Sequence, residues 1–342
     1  MSESGRSTER RGWRVLVTSR AFWNHGRDGI ALMEAAGCEL IRPARYGPEL
    51  SADLIGLLQG CDASLASAED YTARVFAGAP TLKMVARCGV GYDAVDLTAA
   101  TAAGVVCTNT PGINVDAVAD FTVGLILALA RRITELDRMT RDGGWSEVSG
   151  VLLTGKTVGI VGLGHIGRAV ARRMAAFGSE ILATDPHVTR STEIASMVPF
   201  DALLARSDII TVHAPSSPDT AGMFDAAAFA SMKPGAYFVN TARGSIVVEE
   251  ALLDALQAGH LAGAALDVVR QEPLPTDSPL RGVPNLILTA HNAFNAREAA
   301  ARMCTMTAEQ IVSLMRGVVP AATLNPGVYR STALRIPRPE EA

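Results

Sequence analysis

Cysteine is scarce in this 342-residue chain: Cys38, Cys61, Cys88, Cys107 and Cys304 are scattered, odd in number and never in a CxxC pair. Neither a zinc site nor a disulfide framework is suggested, so no metal is expected and reduced thiols in a cytoplasmic compartment fit best. An excess of positive charge is also missing. With 31 Lys and Arg against 35 Asp and Glu, the formal charge is -4, which gives no electrostatic reason to bind nucleic acid or an anionic membrane surface. The N-terminal MSESGRSTERRGW lacks the apolar core of a signal peptide and reads as a frayed tail. The most apolar run, Ala117 to Ala130, is too short for a bilayer and carries Asp120, so it reads as a buried helix. There is no internal repeat and no low-complexity tract. A partner that is a small molecule becomes the expectation.

What is present is alternation. From Trp13 onward, β-rich runs such as RVLVTS, CDASLAS and LKMVAR alternate with helical patterns such as DGIALMEAAG. The rhythm resumes with KTVGIVG, EILATD, DIITVHA, GAYFVNTA, GAALDVV and NLILTAH. Strands separated by helices imply parallel sheets, and the continuous apolar character of these runs suits strands covered on both faces. A chain of this length exceeds one ordinary hydrophobic core, so two α/β domains are expected. Between the two series lies a helical stretch from about Asn114 to Arg141 and the loop RDGGWSEVSG. The last helical pattern, NAREAAARMCTMTAEQIVSLMRG, closes on Gly317 as a C-cap, and is expected to pack back on the first domain. The boundaries are therefore placed at 114–293 for one domain and at 12–113 with 294–330 for a discontinuous second, with tails at 1–11 and 331–342.

VGIVGLGHIGRAVARR spaces Gly162, Gly164 and Gly167 as GxGxxG between an apolar strand and an amphipathic helix. The motif alone is weak, but in this context the three glycines serve in turn a tight turn, close backbone approach to a pyrophosphate, and close packing of helix on strand. The helix N-terminus, with His165 and Ile166, then offers free N–H groups to the anion. Asp185 ends the next strand at about the twenty-residue offset of a carboxylate that bonds a ribose hydroxyl, which favours NAD over a 2′-phosphorylated cofactor. Arg190, five residues on, argues the other way.

In an open parallel sheet ligands sit beyond the carboxyl ends of the strands, so residues just after strands are read most closely. TARGS places Arg243 there, RQEP places Glu272, and TAH places His291. A lone histidine is most often structural. In company with a nucleotide loop it becomes a proton donor and acceptor for a carbinol oxygen, Glu272 a carboxylate that orients the ring and stabilises its charged form, and Arg243 a planar fork for a substrate carboxylate. Asp267, inside GAALDVV, is costly to bury unpaired, so either a contact near the cofactor, a link to the histidine or a structural pairing is expected. His213 ends DIITVHA, where a cofactor wall and plain packing are both open.

These residues, together with MKPGAYFVNTARGSIVVEEALLDAL and GAALDVVRQEP in that order, resemble the D-isomer-specific 2-hydroxyacid dehydrogenases over about Val15 to Val328. The resemblance implies two doubly wound parallel-sheet domains, Rossmann or flavodoxin-like, with the active site in the cleft between them. It implies an NAD-dependent enzyme moving hydride to or from C2 of a 2-oxo or D-2-hydroxy acid of phosphoglycerate, hydroxypyruvate or glyoxylate type. Catalysis would fall to Arg243, Glu272 and His291. Cofactor contacts would come from Gly162, Gly164, His165, Ile166, Gly167, Asp185, Ala214, Thr241, Ala242, Arg243, Asp267 and His291. Val90 and Gly91 in RCGVGYD would join Arg243 in binding substrate, and Cys88 in that loop is read as packing. Lys83 and Arg87 would either meet a substrate phosphate or be surface cations. A homodimer through the helix and loop around residues 115 to 150 is implied as well. The sequence departs from the family at Ala290, where a proline is usual before the histidine, and in HNAF. The alternative is a nucleotide-sensing, corepressor-like binding protein of the same fold, which turnover of any 2-oxo acid would exclude.

Overall fold

Runs of two to six residues, most of them apolar, form parallel strands in two separate sheets. The structure is a computed structural model that describes residues 12–46 and 50–338; the expected N-terminal tail lies outside them. The chain divides into two compact units: Val115–Asn295, and the described residues up to Asn114 together with those from Ala296 onward. No described helix is long and apolar enough to cross a membrane.

In the terminal unit, β1 (Arg14–Val17), β2 (Glu39–Ile41), β3 (Ala63–Ala66), β4 (Met84–Arg87) and β5 (Val106–Thr108) lie in the order β2-β1-β3-β4-β5, all parallel. This is the flavodoxin-like winding. β3 is buried along its whole length, as a strand covered on both faces must be. The core on one side gathers Leu16, Leu54, Leu58, Tyr71, Phe76 and Leu82. The long helix Arg297–Met315 packs on the same sheet and on the helix Arg27–Ala35. It ends as its sequence suggests: Gly317 takes a positive φ, its N–H bonds the Leu314 carbonyl, and the Val318 N–H bonds that of Ser313, which satisfies carbonyls the helix leaves open.

In the central unit, β6 (Thr157–Val161), β7 (Glu180–Thr184), β8 (Ser196–Met197), β9 (Ile209–Val212), β10 (Ala236–Asn240), β11 (Leu261–Leu266) and β12 (Leu286–Leu288) run parallel in the order β12-β11-β10-β9-β6-β7-β8. The winding reverses between β6 and β9, and a crevice opens at the carboxyl ends of strands where that happens. One face of the sheet is closed by an aromatic group in which Phe224 and Phe238 stand 4.8 Å apart with Phe229 and Phe200 around them. The other face is covered by the helices Val115–Ala130 and His165–Ala176.

Three details differ from the sequence-based expectation. The strands β2, β5 and β8 stand outside the expected set; each is two or three residues long, and none carries the unbroken run of Leu and Ile that marks the equally short β12 in NLILTAH. The helical stretch from 114 to 141 is two helices, Val115–Ala130 and Ile133–Arg141, separated by Arg132 at φ 54°. The stretch from residue 331, expected as a tail, is held down through the described residues. Arg335 donates from Nη1 to the carbonyls of Ala79 and Leu82 and from Nη2 to that of Phe76, and Ile336 is buried. Three charge-assisted bonds to main-chain carbonyls make this arginine an anchor rather than a surface cation. Arg335→Ala is therefore expected to lower the unfolding free energy of its unit by about 1–3 kcal/mol in urea titrations; an unchanged midpoint would show that the anchor contributes nothing.

Candidate active site

The glycine loop follows β6, and its three glycines have three physical reasons. Gly162 adopts φ +94°, and a Cβ there would lie 2.7 Å from the Ala214 nitrogen, because the loop passes directly against the segment leaving β9. A Cβ on Gly167 would lie 2.1 Å from the Gly162 carbonyl oxygen, so the helix His165–Ala176 sits on the turn only because that position is bare. Around Gly164 there is nothing within 4 Å. Open space at the middle glycine, at a helix N-terminus with no side-chain cap, is what a pyrophosphate approaching main-chain N–H groups requires. Asp185, just after β7, accepts the Leu163 N–H at 2.7 Å and the His187 N–H at 2.8 Å. The acid and the loop are thus one construction. Gly162, Gly164, His165, Ile166, Gly167, Asp185 and Ala214 all meet where the winding reverses, and they fit a dinucleotide. His213 stands beside them, its Nε2 3.0 Å from the Thr211 hydroxyl; burial pushes its pKa down to about 3, so the ring is neutral at neutral pH.

Arg243 sits on the turn that leaves β10. The Asn240 side chain spans this turn, accepting the Ala242 N–H at 2.9 Å and donating to the Arg243 carbonyl at 2.8 Å. Thr241 is buried and its hydroxyl lies 2.9 Å from that of Thr122 on the helix Val115–Ala130. Gly244 continues the turn so closely along Val269 that a Cβ would be 2.0 Å from the Val269 carbonyl carbon. This approach brings the turn of Arg243 beside the loop of Glu272.

His291 follows β12, and its Nδ1 lies 2.7 Å from Glu272 Oε2. An ionised carboxylate only accepts, so Nδ1 carries the hydrogen and Nε2 is the nitrogen left for other chemistry. The other Glu272 oxygen accepts the Val269 N–H at 3.2 Å. Burial acts to raise the Glu272 carboxyl, but the hydrogen bond from His291, the charge of that ring, the Val269 N–H and the charge of Arg243 outweigh it and hold the carboxyl below its ordinary value. The three ionisable residues read from strand ends therefore form one electrostatic group.

His291 itself has φ +48°, an uncommon left-handed conformation for a residue with a Cβ. What holds it is Asp267, 1% exposed just after β11. Its main-chain carbonyl accepts the His291 N–H at 2.7 Å. Its Oδ1 accepts the Thr289 hydroxyl at 2.6 Å and the Asn292 N–H at 2.8 Å, and its Oδ2 accepts the Ala293 N–H at 2.9 Å. These bonds pair the Asp267 carboxylate fully and tie it to the loop that carries His291. Phe294 stands edge-on to the His291 ring at 6.2 Å between centroids.

Sequence reasoning misses Asn240 and Thr122. NTARG carries a signal for the first, since asparagine opening a turn often bonds its own backbone two residues on; nothing around Thr122 marks it out. In the terminal unit, the Val90 carbonyl accepts from Asn109 Nδ2 at 2.7 Å. Lys83 precedes β4, at the opposite end from RCGVGYD, and is paired with Asp62 at 2.6 Å beneath the Trp13 ring; the idea that it meets a substrate phosphate near that loop is corrected. Cys88 is buried as expected, yet its thiol is held below the ordinary range, chiefly by a hydrogen bond from Cys304.

A dinucleotide cradle at a winding reversal, with a guanidinium, a carboxylate and an imidazole grouped at neighbouring strand ends, defines a nicotinamide-dependent oxidoreductase of the parallel α/β class. Residues 123–293 match the family model described as D-isomer specific 2-hydroxyacid dehydrogenase, NAD binding domain. The chain is 38% identical to a glyoxylate reductase of Thermofilum pendens over 88% of its own length and 92% of that protein. It is 44% identical to a D-3-phosphoglycerate dehydrogenase of Mycobacterium leprae over 82% of its length, and spans 54% of that relative. A solved NAD-dependent formate dehydrogenase of Staphylococcus aureus in complex with NAD superposes with a TM-score of 0.79 at 32% identity, covering 88% of this chain and 95% of that one. The chain belongs to the D-isomer specific 2-hydroxyacid dehydrogenases, and NAD is its cofactor.

Asp267→Asn puts an amide donor against one of three donors that now meet a carboxylate. The expected outcome is a kcat lower by about 10-fold or more from a displaced histidine, with NADH binding kept; a parent-like kcat would remove the positioning role of Asp267.

Proposed function

We propose that this protein interconverts a small 2-oxo acid and its D-2-hydroxy acid, with His291 as proton donor and acceptor, Glu272 as its orienting carboxylate and Arg243 as the holder of the substrate carboxylate. The observation that carries this reading is the 2.7 Å bond between His291 Nδ1 and Glu272, on a carboxylate that also feels the charge of Arg243.

Bound NADH supplies the hydride that C2 receives. Arg243 pairs its fork with the acid group next to the reacting carbonyl, a match of two parallel donors to two oxygens. For Val90 and Gly91 of the terminal unit, the family resemblance supports a task of offering N–H groups to a carboxylate. His291, charged and facing Glu272 through Nδ1, gives the carbonyl oxygen a proton from Nε2 as charge develops there. The ring is then neutral and its Nδ1–H stays on Glu272, which keeps the tautomer that takes the proton back in the oxidative direction. Thr241 and Ala242 would lie at the nicotinamide end, which Asp267 serves only indirectly, by fixing the loop of His291.

A substrate of glyoxylate or hydroxypyruvate size is favoured over a phosphorylated one. One cation that could have met a phosphate, Lys83, is instead engaged by Asp62, although relatives of both kinds match the chain, a glyoxylate reductase at 38% identity and a D-3-phosphoglycerate dehydrogenase at 44%. The protein is proposed to be a cytoplasmic homodimer. Its described cysteines are all unpaired and buried. Ile133, Trp145 and Leu152 are exposed at 52, 91 and 70% on the helix Ile133–Arg141 and the loop after it, and this segment is the proposed interface.

NADH oxidation with glyoxylate, hydroxypyruvate, pyruvate, phosphohydroxypyruvate and branched 2-oxo acids tests the reading. At least one acid is expected to be reduced, and His291→Ala to lower its kcat by roughly 100-fold or more with NADH affinity largely kept. Near-normal turnover in that variant would refute the role of His291. Analytical ultracentrifugation should find a dimer that Trp145→Asp with Leu152→Asp dissociates; a monomeric parent would refute the assembly.

A further inference from the structure

The proposed function gives Arg243 a role, and its guanidinium is held by the main chain beneath it, Nη1 donating to the Ala242 carbonyl at 2.7 Å. An arginine can swing through several rotamers, and fixing one geometry for a bidentate contact costs side-chain entropy unless the backbone beneath it is already set. The backbone here is set chiefly from one residue. Asn240 ends β10, and its own carbonyl accepts the Asp267 N–H at 3.0 Å, so its main chain belongs to the sheet. Its side chain is fully buried and belongs to the turn: Oδ1 accepts the Ala242 N–H and Nδ2 donates to the Arg243 carbonyl. The turn is gripped from two further sides, by the hydroxyl contact of Thr241 with Thr122 and by the seating of Gly244 on Val269. Those two contacts fix where the turn lies. The Asn240 amide reaches the main chain of Arg243 itself, which is extended at φ -147° and ψ 137°. Its 2.8 Å bond to that carbonyl is shorter than the 3.3 Å bond the same oxygen accepts from the Ile246 N–H within the following turn.

We propose that Asn240 is a positioning residue for substrate: its side-chain amide transmits the geometry of the sheet to Arg243 and so presents the guanidinium to the carboxylate of a 2-oxo acid. The inference rests on the proposed role of Arg243. It assigns the asparagine to recognition of the acid group, not merely to the stability of a turn. The same residue joins the proton donor's side of the site, because its carbonyl is the ladder partner of Asp267, whose side chain holds the His291 loop.

A double-mutant cycle separates these roles, with glyoxylate as probe and steady-state rates for the parent, Asn240→Ala, Arg243→Ala and the double variant of the full chain. Asn240→Ala is expected to lower kcat/KM by about 10- to 100-fold, the size of a misaimed contact, mainly through a higher KM for glyoxylate, with NADH affinity by fluorescence titration near the parent's. In the Arg243→Ala background the same change should alter kcat/KM by less than about twofold, since residues acting through one another are not additive. Losses that multiply, or a loss of NADH affinity matching the loss of turnover, would overturn the inference while leaving Arg243 its role. If Arg243→Ala turned glyoxylate over like the parent, or the parent reduced none of the 2-oxo acids, the underlying reading would fail and take the inference with it. Should Asn240→Ala not fold, Asn240→Asp takes its place in the cycle: it keeps the acceptor for Ala242 but sets a carboxylate oxygen against the Arg243 carbonyl, and the same outcomes decide.

Discussion

One hydrogen bond, from the His291 ring to Glu272, organises this site, and it depends on two loops leaving different strands. Glu272 follows β11 and His291 follows β12, and the two meet because those strands are neighbours in register. A carboxylate beside an imidazole is valuable only if neither can rotate away. The acid is steadied by the Val269 N–H and the ring by the loop that Asp267 fixes from behind. The sheet therefore acts as the rigid part of the chemistry, and the loops carry groups whose places it has already decided.

The cofactor cradle follows the same logic through absence of side chains. Two of its glycines are bare because protein lies against them, and the middle one is bare with empty space before it. These are opposite demands met by the same residue type, and only the second leaves room for a ligand. Asp185 accepts the Leu163 N–H of the loop and the His187 N–H of its own turn, so a carboxylate beside the cradle also shapes the turn that forms it.

Much of this is legible in the sequence, and the reason is local. Long apolar runs such as GAALDVV and KTVGIVG announce covered parallel strands, and residues directly behind such runs must lie at the sheet's carboxyl edge. That rule alone, without any family resemblance, leads to Arg243, Glu272 and His291. Features set by distant partners are not legible. The left-handed backbone of His291 has no signal in TAHNAF, since its cause is an aspartate more than twenty residues earlier. Likewise the anchoring of Arg335 depends on carbonyls around residues 76 to 82, and a proline- and arginine-bearing terminus reads as loose until those acceptors are known.

The way Asp267 grips the segment behind the histidine bears on how such a site changes over time. Two of its bonds run to the main-chain N–H groups of Asn292 and Ala293, and main-chain donors are the same whatever side chain is attached. The exposed side chain of Asn292 can therefore change without loosening the hold on the main chain beside His291. Side chains that can change above a fixed backbone are one way in which a scaffold takes on different substrates, and HNAF is the stretch where this chain departs from the family pattern.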